Sequence, residues 1–128
     1  MPQFAALHRK DNKTVRYLVV DDSVFARKNL IKMIETFGGE VAGEAGDGLT
    51  AIAEYNRTKP DIVLMDIGLP GMNGIEATTE LLRHCPNVKV VILSMYDDEN
   101  SVVSAIRSGA RAFVLKKASS SELLDALR

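Results

Sequence analysis

Five times along the chain, a short run of β-branched and aliphatic residues gives way to a segment in which apolar residues recur every three or four positions. The runs are Val15–Val20, Glu40–Ala45, Ile62–Met65, Val88–Leu93 and Ala112–Leu115. The third and fourth are apolar almost throughout, as strands covered on both faces are. Between the runs, Ala26, Leu30, Met33 or Ile34 and Phe37 mark a first helix, Ala51 and Tyr55 a second, and Ile75, Thr78 and Leu82 a third. Gly38-Gly39, Pro60 and Pro86 follow these helices and Gly109 ends a fourth, each stopping a helix through its backbone chemistry. Parallel neighbours need crossover connections, and those are right-handed. The alternation therefore predicts an α/β domain, a parallel sheet with helices on both faces.

A chain of 128 residues fits one domain and buries enough surface to need no disulfide or structural metal. Sixteen basic residues against seventeen acidic ones leave a formal charge of -1, so the total implies neither nucleic acid nor a membrane surface as partner. Cys85 is the single cysteine and cannot form an intrachain disulfide. The N-terminal stretch has no apolar core of signal-peptide or membrane-spanning length, which makes a cytoplasmic location the expectation. Residues 1–13 are polar without sustained period and read as a tail before a domain over 14–128.

In an open parallel sheet, sites form beyond the carboxyl ends of the strands. The first strand here ends on Asp21-Asp22, the third on Asp66, the fourth on Ser94 and the fifth on Lys116. Each has a structural explanation when taken alone. Asp22 or Ser23 can cap a helix, Asp66 can open a turn, Ser94 can bond within a loop, and Lys116 can be a solvated strand end. Together they place five polar groups on one rim of an otherwise apolar sheet, which points to a site. Clustered carboxylates disfavour one another's ionisation unless a cation compensates, and an all-oxygen cluster suits Mg²⁺. Because Mg²⁺ takes one or two carboxylates together with waters and phosphate oxygens, such a site has room for a phosphoryl group, with Lys116 as a second positive charge.

The doubled acid, the segment Asp66-Ile-Gly-Leu-Pro-Gly-Met-Asn-Gly, the hydroxyl of Ser94 and Lys116, in that order, resemble the receiver domain of two-component response regulators over Val15 to Arg128. The stretch SGARAFVLKKASSSELLDAL is similar to the NarL/LuxR-type subfamily, whose receivers are usually joined to a helix-turn-helix DNA-binding domain. The resemblance implies a doubly wound, flavodoxin-like sheet of five strands in the order 2-1-3-4-5 with five helices. It implies that Asp66 accepts a phosphoryl group from a sensor histidine kinase, so that the chain is a signalling switch and not an enzyme acting on a separate substrate. Asp22, Asp66 and the backbone carbonyl of Gly68 would bind Mg²⁺, Asp21 would assist through water, and Lys116 and Ser94 would hold phosphoryl oxygens. Ser94 and Phe113 would form the switch pair. Phosphorylation would permit a homodimer, and DNA would be reached only through an output domain outside these residues, with no membrane partner.

Three positions depart from the commonest receiver pattern: Lys117 stands where many receivers have proline, Phe113 lacks the hydroxyl of a frequent tyrosine, and Gly68 has no side chain. Without proline, a cis Lys116–Lys117 bond would cost about 2.5–4 kcal/mol, so trans is expected. Two rival functions have less support. A phosphohydrolase with an aspartyl nucleophile usually carries its second acid two residues later, where Ser23 stands; a standalone receiver acting only by protein contact is the other. Gly43, Gly46 and Gly48 lack the spacing of a dinucleotide fingerprint and are expected to shape a turn. His8, His84 and Cys85 are expected to be structural, and the acidic run at 97–99 to cap the fourth helix.

Overall fold

The computed structural model describes residues 14–95, 99–116 and 120–127. Strands β1 (Arg16–Val20), β2 (Glu40–Ala45), β3 (Ile62–Asp66), β4 (Lys89–Ser94) and β5 (Ala112–Leu115) alternate with helices α1 (Val24–Thr36), α2 (Gly48–Thr58), α3 (Gly74–His84), α4 (Glu99–Arg107) and α5 (Ser120–Leu127). All neighbouring strands pair in parallel, in the order β2-β1-β3-β4-β5. This is the expected doubly wound, flavodoxin-like sheet, with its strand order reversing between β1 and β3.

Side chains alternate across each strand and so feed two cores. Leu18, Val20, Val63, Met65, Val90 and Ile92 pack with Ala51 and Tyr55 of α2, Ala77 and Leu81 of α3 and Ala105 of α4. Tyr17, Val19, Leu64, Val91 and Leu93 pack on the opposite face with Ile34 of α1 and Leu123 and Leu127 of α5. Every residue of β3 is buried, because this central strand has neighbours on both edges and helices on both faces.

The strands differ from the sequence expectation by single residues. β3 and β4 run on to Asp66 and Ser94, whose backbones stay in register opposite Leu93 and Leu115, since a polar side chain does not prevent ladder pairing. Val15 falls outside β1, although its carbonyl still accepts from the Glu40 amide at 2.9 Å. Gly43 lies inside β2 rather than in a turn, where a Cβ would stand 3.3 Å from Thr58 Cγ2 at the end of α2 and 3.5 Å from Leu18 Cδ1. That glycine serves close helix-to-sheet packing. The expected tail at 1–13, with His8, and the acidic run's Asp97 and Asp98 lie outside the described residues.

Helix starts are set by local chemistry. Ser23, Asp47 and Asn73 cap α1, α2 and α3 by accepting from the amides of Ala26, Thr50 and Glu76. Glu76 returns a bond to the Asn73 amide at 3.1 Å, completing a capping box. At Gly74 a Cβ would collide with the Asp66 carbonyl group and stand 2.9 Å from Ile67 Cα. Only glycine lets α3 begin so close to the end of β3. Gly74→Ala should therefore lower stability by about 3 kcal/mol, toward the upper end for overpacking, in urea denaturation; a loss within experimental error would contradict this packing.

Tyr17 is fully buried, and its hydroxyl donates to the Leu127 carbonyl at 3.3 Å, joining β1 to α5. Burial, aided by Asp61 and opposed by Arg111, raises its pKa far above the ordinary tyrosine value of 10.0. The folded chain keeps this proton while the unfolded chain loses it above pH 10.0, so the stabilisation is intact below that pH and is lost as pH rises. The slope for one proton is about 1.4 kcal/mol per pH unit. Tyr17→Phe should flatten the alkaline fall in stability between pH 10 and 12 (the range just above the ordinary value); an unchanged slope would refute the assignment.

Candidate functional site

The carboxyl ends of β1, β3 and β5 bring three acids and one ammonium together. One carboxylate oxygen from each of Asp21, Asp22 and Asp66 lies within 4.8 Å of the others. Lys116 Nζ sits 2.9 Å from Asp21 Oδ2 and 3.2 Å from Asp66 Oδ2, bridging residues from the first and third strand ends. Asp21 and Asp66 are buried, whereas Asp22 is exposed.

Each buried acid is held on both of its oxygens. Asp21 Oδ1 accepts from the Ser23 amide at 2.9 Å while Oδ2 takes Lys116. Asp66 Oδ1 accepts from the Gly68 amide at 3.2 Å while Oδ2 takes Lys116. Burial raises the Asp66 pKa above the ordinary carboxylate value, with the Asp21 charge adding to the rise and the Gly68 amide and Lys116 opposing it. Burial also works against the Lys116 ammonium, but its bonds and charge interactions with Asp21 and Asp66 outweigh that and raise its pKa. The result is a desolvated carboxylate kept next to a firmly protonated lysine.

The expected residues are placed as follows. Asp21, Asp22, Asp66 and Lys116 form the cluster, and Gly68 lies beside the Asp66 side chain. A Cβ on Gly68 would be 3.8 Å from Asp66 Oδ1, so glycine leaves that approach open. Ser94 is fully buried at the end of β4, and its carbonyl accepts from the Lys116 amide at 2.8 Å. Phe113, opposite Ile92 in the sheet, is partly buried against the core shared with α2, α3 and α4. His84 is on α3 with Nε2 3.8 Å from Glu80 Oε2, and Cys85 caps that helix against the same core. The Lys116–Lys117 bond, expected trans, lies outside the described residues.

Sequence reasoning missed Ser23's amide and Arg27 as parts of this site. Ser23 was legible only as a cap. Arg27 donates through Nη1 to the Asp21 carbonyl at 2.5 Å and through Nε to Glu44 Oε1 at 3.1 Å. No local spacing announces a contact between a helix arginine and the second strand.

The acid cluster fits a hard cation: every donor is an oxygen, one acid faces solvent, and an oxygen from each of the three lies within 4.8 Å of the others. Residues 17–128 match the response regulator receiver domain, and the chain belongs to that family of two-component signalling domains. It is 43% identical over 112 residues to the chemotaxis protein CheY of Thermotoga maritima, across 88% of this chain and 93% of that one. The structure is similar to a chain of the CheX-CheY-BeF3-Mg²⁺ complex from Borrelia burgdorferi, with a TM-score of 0.90, 27% identity, and coverage of 98% of this chain and 95% of the other. It is also similar to a LuxR-family two-component response regulator from Aurantimonas sp. SI85-9A1, with a TM-score of 0.84, 34% identity and coverage of 88% and 81%. Chemotaxis proteins and LuxR-family regulators thus stand side by side, and the family is established at the level of the receiver domain, not at that of the NarL/LuxR subfamily.

The raised Asp66 pKa carries a stability consequence. A carboxyl whose folded pKa is raised stabilises the fold only while protonated, so its contribution is present below the ordinary value and lost as pH rises through the folded one. At neutral pH the ionised group opposes folding. Asp66→Asn should therefore raise the melting temperature in chelator, and Mg²⁺ should narrow the difference from wild type. Equal or lower melting of Asp66→Asn without metal would contradict this.

Proposed function

We propose that the chain is a phosphorylation-operated switch in which Asp66 accepts a phosphoryl group from the phosphohistidine of a sensor histidine kinase. The observation that carries the proposal is the Lys116 ammonium between Asp21 and Asp66, with Asp22 open to solvent beside them. A carboxylate oxygen of Asp66 attacks phosphorus as the donor's P–N bond breaks. The imidazole nitrogen leaves with the bonding pair and takes up a proton. Such a transfer needs alignment and charge neutralisation more than covalent machinery.

Asp22, Asp66 and the Gly68 carbonyl would hold Mg²⁺, with Asp21 assisting through water, in keeping with the engagement of both Asp21 oxygens by Ser23 and Lys116. When bound, the ion supplies positive charge to the phosphoryl oxygens. Lys116, already on Asp66 Oδ2, holds a further phosphoryl oxygen after the transfer. Ser94, buried at the end of β4, turns its hydroxyl to the new group with a shift of the strand end, and Phe113 follows as the second switch residue. The readout surface includes α4, which exposes Ile106, and the exposed Met95 just before it.

Exposed Val24 and Phe25 at the start of α1 flank the acidic turn and suit a helical partner such as a kinase domain. Two outputs have support. The likeness of residues 108–127 to NarL/LuxR receivers and the LuxR-family structure favour transcription control through a joined DNA-binding domain, with dimerisation on phosphorylation. The CheY likeness favours contact with a partner protein. Among the described residues no helix is long and apolar enough to cross a membrane, and the kinase partnership assigns the switch to the cytoplasm.

Incubation with a small acyl phosphate and Mg²⁺, followed by intact mass, should give one phosphoryl adduct on the wild type and none on Asp66→Asn. An adduct forming on Asp66→Asn at the wild-type rate, or turnover of a phosphoester without an adduct, would overturn the proposal.

A further inference from the structure

We infer that Arg27 is a positioning residue for the acidic turn, one that sets Mg²⁺ affinity by fixing the backbone between β1 and α1; this rests on the reading of the acid cluster as a Mg²⁺ site. The turn has to place the exposed Asp22 side chain against two buried acids, and its neighbours explain how. The Asp21 amide donates to Ala45 of β2 at 3.0 Å, and the Asp21 side chain is tied to Ser23 and Lys116. The Asp21 carbonyl, the atom at the head of the Asp21–Asp22 peptide, is taken by Arg27 Nη1.

Arg27 is itself fixed at both ends. Its amide donates to the Ser23 carbonyl in the first turn of α1 at 3.0 Å, and its Nε to Glu44 on β2. The side chain is only 16% exposed, and it passes beside Gly46, where a Cβ would be 3.5 Å from Nη1. The guanidinium therefore spans helix, strand and turn with donors in a fixed fork, which a lysine cannot reproduce. Its guanidinium bonds go to the Asp21 backbone carbonyl and to Glu44 rather than to a carboxylate of the cluster. What remains is orientation of the peptide that carries Asp22, the kind of supporting contact whose loss typically weakens metal binding by 10–100-fold.

The test is Mg²⁺ titration by calorimetry, without phosphodonor, on wild type, Arg27→Lys, Arg27→Met, Glu44→Gln and Asp22→Ala. Both Arg27 variants should bind Mg²⁺ on the order of tenfold more weakly, while Glu44→Gln, which keeps an acceptor for Nε, should stay close to wild type. Were Arg27 acting through charge alone, Arg27→Met would bind Mg²⁺ more tightly, Arg27→Lys would match wild type, and Glu44→Gln would bind more weakly; that pattern would overturn the inference. The rate of modification by acyl phosphate supplies a second readout. Arg27→Lys should be slow at low Mg²⁺ and recover at saturating Mg²⁺, whereas a deficit equal at every Mg²⁺ concentration would mean general structural damage and would also overturn it. An Asp22→Ala variant with undiminished Mg²⁺ affinity would sink the metal reading itself, a result distinguishable from failure of the Arg27 role.

Discussion

The Lys116 ammonium between Asp21 and Asp66 is the interaction on which the rest of this molecule depends. Two carboxylates with their oxygens so close, both buried, could not both stay ionised in a low-dielectric strand end without a counter-charge. Lys116 supplies it at 2.9 and 3.2 Å. The parallel sheet makes the arrangement possible, because all its strands end on one rim and residues 95 positions apart in sequence emerge there together. Removing Lys116 would leave two buried carboxylates without a counter-charge, so the same contact that prepares the site also constrains the topology.

The fold aims the cluster through contacts that are individually ordinary. Alternating strand residues commit α1 and α5 to one face and α2, α3 and α4 to the other. The capping box at Asn73 and the absence of a side chain at Gly74 bring α3 against the Asp66 backbone. Ser23 serves twice, capping α1 with its hydroxyl and holding Asp21 with its amide. Local helix chemistry and site geometry are here the same set of bonds. Stability and function pull against each other at Asp66, whose burial raises its pKa while its role requires the ionised form.

The alternation of strand and helix was legible because periods of two and of three to four residues are written directly in the hydrophobic pattern. So was the rim, since Asp21, Asp22, Asp66, Ser94 and Lys116 all follow apolar runs. Strand ends were read a residue short at Met65 and Leu93 because polarity was taken as the end of pairing, although the ladder continues through Asp66 and Ser94. Gly43 is ambiguous in sequence, falling in the Glu40–Ala45 run yet also in a glycine cluster that reads as a turn, and only the closeness of Thr58 on α2 reveals its packing role. Arg27 went unread for a different reason. Its partners, the Asp21 carbonyl and Glu44, are a backbone atom and a residue on another strand, and neither leaves a trace in local spacing. The subfamily resemblance rested on residues 108–127, whereas the similar proteins include both chemotaxis and LuxR-family members.

The central claim is that Asp66 is a desolvated carboxylate held ionised by Lys116. Carbon-13 NMR of the aspartate carboxyl groups, titrated without metal in wild type and Lys116→Met, measures this directly. Asp66 should titrate above the ordinary carboxylate value of 3.8 in the wild type, and higher still when the ammonium is removed. An Asp66 that titrates at the ordinary value, or that is indifferent to the loss of Lys116, would contradict it.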